Sequence, residues 1–189
     1  EGVEFPVLLL SSLYGVCLLQ SSDSFLTLFL GLEIMSLPVY ALVVLGMLRA
    51  QSAEAALKYL VLGGAATATL LLGMSFLYGW SGTLQLVAFS WALGSNDPLA
   101  MAGIALITAA LFLKAAIVPF HAWAPDAYEG ASAPVTAYMA TIIKAGVLLA
   151  ALRLFGVSPV SGSMVGLLAI LPLVSIVWGN LAAMRQASF

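Results

Sequence analysis

Glu33, Lys114 and Lys144 are the residues of this chain whose type and setting could do chemistry. Each is an ionisable group inside a long apolar run: LTLFLGLEIMSLPVYALVVLGML, ALITAALFLKAAIVPF and VTAYMATIIKAGVLLAAL. In hydrocarbon such a charge costs roughly 2.5 to 3.5 kcal/mol near a helix centre, so three of them carry a burden of roughly 8 to 10 kcal/mol before any pairing. Ionisable residues retained at such depth mark ion and proton paths.

The local sequence says what each could do. Pro119 follows Lys114 by five residues, lacks the N–H that would bond the Ala115 carbonyl, and clashes with that carbonyl, so the helix should kink or stop there. Gly130 and two more prolines, Pro125 and Pro134, follow, and broken backbone at membrane depth is tolerated only inside protein or along a wet cavity. Lys114 is then expected at the end of a half-helix, where freed carbonyls and a nearby carboxylate favour its ammonium while burial disfavours it. A lysine between such opposing influences can load and release a proton. The alternative is a lysine that snorkels to the interface.

Glu33, the one carboxylate deep in any of the runs, is the natural partner, with Pro38 expected to disturb its helix nearby. A protonated glutamic acid that only cross-links helices is the alternative. Lys144 lies too far from either end of its run to snorkel easily, and no Asp or Glu follows Glu129. Lys58 has Glu54 one helical turn before it, a spacing that suits an interfacial pair or a charge tuning Glu33 and Lys114. His121 either passes protons between the surface and the break, as an imidazole can, or satisfies freed backbone. Asp126 and Glu129 read as solvated loop acids near a proton mouth.

The elements that must position these groups follow from composition. The chain is 63% hydrophobic, with six Lys or Arg and eight Asp or Glu among 189 residues, which excludes an ordinary soluble domain. Its mean hydropathy is +1.13. Apolar runs at 3–21, 24–47, 54–80, 98–120, 134–155 and 163–184 have the ~20-residue length of a bilayer-spanning helix and lack the alternation of barrel strands. The expected fold class is therefore all-α: a polytopic membrane protein of about six transmembrane helices, one of them broken by proline.

The loop at 81–97 reads as an amphipathic surface segment. Gly63, Gly64, Ala65, Ala66 and Gly73 read as contact points for close helix packing. Arg49 and Arg185, with Lys58 just inside, put one side of the zigzag in the cytoplasm, and Arg153 lies at the other. No signal peptide is recognisable, and a start at Glu1 reads as a piece of a longer protein. Cys17 reads as a small buried hydrophobe. One Cys and one His cannot build a four-ligand zinc site, an iron–sulfur cluster or a bis-histidine haem site, and a net charge of -2 without a basic cluster argues against nucleic acid.

The stretch FLKAAIVPFHAWAPDAYEGASAPVTAYMATIIKAG, with GLEIMSLPVYALVVL, AEAALKYLVLGG and GNLAAMRQ, resembles the N-type membrane subunits of bacterial NADH:quinone oxidoreductase, respiratory complex I. In looser form it is shared by the L and M types and by multisubunit sodium/proton antiporters. Ala124 stands where a threonine is common and Glu129 where glutamine is frequent. The resemblance implies a longer subunit made of two inverted five-helix repeats, of which residues 1–189, a single transmembrane domain, cover the first repeat plus one helix.

It also implies roles. Glu33 matches the family's buried glutamate, Lys58 the lysine near it, Lys114 the broken-helix lysine and Lys144 the central lysine of the next helix. The implied function is proton translocation by a non-redox subunit, coupled to quinone reduction elsewhere in the complex. No cofactor is expected on this chain; NADH, flavin, iron–sulfur clusters and quinone are expected in partner subunits. Other complex I membrane subunits and the lipid of a bacterial cytoplasmic membrane are the expected surroundings. The alternatives are a subunit of a sodium/proton antiporter or membrane-bound hydrogenase, and a structural scaffold whose charges only lock helices.

Overall fold

A computed structural model describes residues 2–45, 50–156 and 162–185, with side chains throughout except at Gln51 and 162–169. Arg49, on which part of the expected orientation rests, lies outside the described residues. The helices are α1 (Glu4–Ser21), α2 (Phe25–Leu45), α3 (Ala50–Ser81), α4 (Val87–Leu93), α5 (Pro98–Ala115), α6 (Trp123–Gly130), α7 (Ala133–Tyr138), α8 (Lys144–Phe155) and α9 (Gly162–Ala183). A π-helical turn, Met139–Ile143, joins α7 to α8 in one continuous span. Among the described residues five helices are long and apolar enough to cross a membrane, and α9 supplies a shorter apolar stretch at Ile170–Ala183.

Helix ends follow local chemistry. Asp97 caps α5, its carboxylate accepting from the amides of Leu99 (2.8 Å) and Ala100 (3.3 Å), with Pro98 in the first turn where its missing N–H is harmless. At the other end the backbone turns left-handed at Ala116, φ 56°, and the helix is over four residues before Pro119. Gly82, φ 71°, ends α3 in the conformation that glycine adopts without strain. Pro38, by contrast, is carried within α2, which does not break there.

Close backbone approach sets the packing. An added Cβ at Gly15 would fall 2.2 Å from the Met35 amide nitrogen, and one at Gly31 would fall 2.6 Å from that of Leu19, so α1 and α2 lie nearly in backbone contact. Gly73 and Gly103 do the same for α3 and α5: a Cβ at Gly73 would lie 2.9 Å from the Gly103 carbonyl oxygen. Two of the expected contact points are corrected. Gly64 faces open space and Ala65 is exposed, because the packing stripe of α3 runs through Gly63, Ala66 and Gly73. Cys17 is likewise exposed, since α1 presents Ser12, Gly15 and Leu19 to the bundle.

The segment after α3 does not simply lie on a surface. Ser24 bridges to Gln85, and α4 buries Ala88, Phe89 and Ala92 in the bundle while Trp91 faces outward. At that end Arg153 donates to the Gln20 carbonyl, and at the other Lys58 meets Asp126, which fits an up-and-down bundle with α3 and α6 starting at the same end.

Candidate proton-path site

α2, α3 and α5 bring the first two expected residues together. Lys114, at the last turn of α5, is 7% exposed, and its Nζ lies 3.6 Å from Glu33 Oε1 on α2. The ammonium also donates to Ser36 Oγ at 3.0 Å. Ser36 follows Glu33 by three residues and so shares its face of α2; its own hydroxyl proton goes to the Leu32 carbonyl at 2.7 Å. From α3, Thr67 Oγ1 lies 2.5 Å from Glu33 Oε1 and 3.1 Å from the Gly63 carbonyl. Tyr40 closes the site: its hydroxyl reaches so near Gly63 that a Cβ there would fall 2.0 Å away. Ser36, Thr67 and Tyr40 are the members that sequence reading passed over, and only Ser36, by its spacing from Glu33, left a signal.

The break after Lys114 is real, and two carbonyls of the last turn find partners there. The Leu113 carbonyl accepts from the Ala116 amide (3.2 Å) and the Trp123 indole N–H (2.8 Å), and the Phe112 carbonyl accepts from Ile117 (3.0 Å). Reverse turns then carry the chain through a cis Val118–Pro119 bond to α6, and the Val118 amide donates to Ser175 Oγ of α9 at 3.0 Å. The Lys114 ammonium itself is met by the side chains of Glu33 and Ser36.

The other expected residues stand apart from this pair. Lys58 binds Glu54 at 3.0 Å, as its spacing suggested, and also Asp126 at 2.7 Å, so Asp126 is no free loop acid. Both contacts are half-exposed and sit about 13 Å of helix rise from Thr67, too far for direct contact with Glu33. His121 lies in the break, its Nδ1 buried with no hydrogen-bond partner among the described residues and its ring 6.1 Å from that of Trp178. Lys144 is half-buried, with its Nζ 5.4 Å from the centre of the Tyr128 ring. The π turn just before it adds a residue to the helical repeat, rotating the faces of α8 by roughly 100° relative to an unbroken α-helix.

An all-helical membrane bundle with a buried carboxylate–ammonium pair at the end of a proline-broken helix defines the class, and the chain belongs to the family described as NADH:quinone oxidoreductase/Mrp antiporter, TM, which matches residues 22–189. Within it, the chain is similar along its whole length to NADH-quinone oxidoreductase subunit N. The Pelobacter propionicus protein is 39% identical over 188 residues, and the match takes in 100% of this chain and 41% of that one. The Granulibacter bethesdensis protein is 42% identical over 194 residues, covering 100% and 40%.

A chain of respiratory complex I from Thermus thermophilus superposes with a TM-score of 0.82 at 40% identity, covering 98% of this chain and 40% of that one. A chain of the archaeal membrane-bound sulfane sulfur reductase gives 0.83 at 34% identity, covering 96% and 38%. One of the Mrp complex from Dietzia sp. gives 0.74 at 28%, covering 80% and 29%. The chain therefore spans about two-fifths of the length of its curated relatives.

Proposed function

We propose that this chain is part of a proton-translocating membrane-arm subunit of NADH:quinone oxidoreductase. Residues 1–189 act as one transmembrane domain of that subunit. Its partners are other complex I membrane subunits in a bacterial cytoplasmic membrane. Glu33, Lys114 and Lys144 carry the proton through the protein, with Lys58 and His121 at its cytoplasmic mouth. NADH, flavin, iron–sulfur clusters and quinone belong to partner subunits, and this chain does no redox chemistry. The observation that carries the reading is the pair at 3.6 Å, held away from solvent beside a helix that ends inside the bundle.

Drawing Glu33 away from Lys114 weakens the hold of the lysine on its proton, and approach of the carboxylate restores it. Coupling is then electrostatic: a charge displaced elsewhere in the complex needs only to move Glu33. Complex I is preferred to an antiporter complex because identity and coverage are both higher for the subunit N relatives than for the Mrp chain. The test is Lys114→Met in the assembled complex, which should abolish or strongly reduce protons moved per quinone reduced while assembly survives. Normal pumping by that variant, in a normally assembled complex, would remove the assignment.

A further inference from the structure

Four aromatic rings run from the Glu33 site toward Lys144. Tyr40, pressed on Gly63, meets Tyr59 edge-on at 4.6 Å; Tyr59 stacks flat on Trp123 at 4.7 Å and 11°; Trp123 meets Tyr128 edge-on at 6.4 Å. The column is fastened in the middle, where the Trp123 indole donates to the carbonyl of Leu113, the residue before Lys114. Its far end is fastened too. The Tyr128 carbonyl accepts from Thr136 Oγ1 at 2.9 Å, which ties Tyr128 to the span bearing Lys144, and the Lys144 ammonium lies 5.4 Å from the ring centre.

Resting on the transport role assigned to Lys144, we propose that Tyr128 is a positioning residue for it: the ring face seats the Lys144 ammonium, and the aromatic column links that seat to the broken end of α5. The electron-rich face of an aromatic ring attracts a cation at this distance, and a low-dielectric setting strengthens the attraction. The tyrosine hydroxyl has no part in this. It is buried without a hydrogen-bond partner among the described residues, and burial pushes the phenol up to about 12, so it does not exchange protons near neutrality. What Lys144 uses is the ring, and a ring without the hydroxyl should serve as well.

The experiment uses the assembled complex carrying Tyr128→Phe, Tyr128→Leu, or phenylalanine with one, two and three ring fluorines at position 128. Fluorination empties the ring face of electron density with little change of shape, so a merely space-filling ring would not respond to it. Protons moved per quinone reduced should stay near the parent value for Tyr128→Phe and fall for Tyr128→Leu. Along the fluorine series they should fall stepwise, the whole span amounting to roughly two- to thirty-fold. A flat fluorine series overturns the proposal, and it decides the matter even where Tyr128→Leu fails to assemble. Lys144→Ala is measured beside them: normal transport by that variant would sink the transport reading itself, whereas its failure together with a flat series would sink only the role of Tyr128.

Discussion

Replacing Glu33 and Lys114 with methionine, singly and together, separates an ion pair that moves protons from one that only holds helices. At 3.6 Å and an effective dielectric of about 20, unit charges attract by about 5 kcal/mol. The side chains are only 22% and 6% exposed, so salt screens little of this, and desolvation consumes a large part. Either single substitution strands one buried ion, at a cost of about 3 to 5 kcal/mol. The double variant strands nothing: Ser36 still donates to the Leu32 carbonyl and Thr67 to that of Gly63.

Denaturant unfolding of the detergent-solubilised protein should therefore show a coupling on the order of 2 to 3 kcal/mol, the double variant being far more stable than the sum of the singles implies. Proton transport by the assembled complex should be lost in all three. Additivity within about 0.5 kcal/mol would refute the claim that the groups sense each other. Recovery of transport along with stability in the double variant would mean that the pair is a structural lock.

Thr67→Val takes away the donor to Glu33 and should slow proton transport while costing about 1.5 to 3 kcal/mol, read from the same unfolding experiment. Gly63→Ala forces a Cβ toward the Tyr40 hydroxyl and should destabilise by about 1 to 3 kcal/mol, a loss that Tyr40→Phe in the same chain partly reverses. The Tyr128 phenol, raised from 10.0 to about 12, keeps its proton in the folded state when the unfolded chain gives it up. Its contribution is complete below pH 10 and is lost as pH rises through 12, so the parent protein should lose stability between those values relative to Tyr128→Phe, with no difference between the two slopes below 10.

Residue chemistry that acts along the chain was legible in the sequence, and chemistry that depends on how helices meet was not. Pro119 announced the end of α5, and the end came at Ala115, because the αL turn at Ala116 and the Trp123 indole close the helix before the proline is reached. Three isolated ionisable residues in apolar runs pointed to Glu33 and Lys114 as partners, and their meeting needed only that α2 and α5 be neighbours across α3.

Thr67 could not be found this way, since one threonine among several in the third run becomes a ligand only through the register of α3 on α2. The π turn before Lys144 left no signal, because MATII simply continues the apolar run on either side of it. Pro38 acts otherwise than Pro119. A proline inside a long apolar helix can be absorbed by its surroundings, and α2 continues through it. Cys17 failed for a simpler reason: in a membrane helix an apolar residue is as much at home on the outer face as on the inner, so hydrophobicity no longer reports burial.

On the proposed transport reading, the charge pair must be able to part, and its neighbours suit that. A purely structural ion pair gains from partners that have no other use, since these hold it in one geometry. Here both hydroxyls have a second backbone partner: Thr67 has the Gly63 carbonyl as well as Glu33, and Ser36 satisfies the Leu32 carbonyl whether or not Lys114 donates to it. When Glu33 withdraws, the Thr67 hydroxyl can turn to Gly63 without leaving a buried donor unmet, which removes the ~1 to 3 kcal/mol that an orphaned group would add to the separated state. At α5, Trp123 and Ala116 satisfy the Leu113 carbonyl, so that carbonyl makes no claim on the Lys114 ammonium. The ammonium then depends on Glu33 and Ser36 alone among these groups, and a movement of one carboxylate is enough to change its hold on a proton.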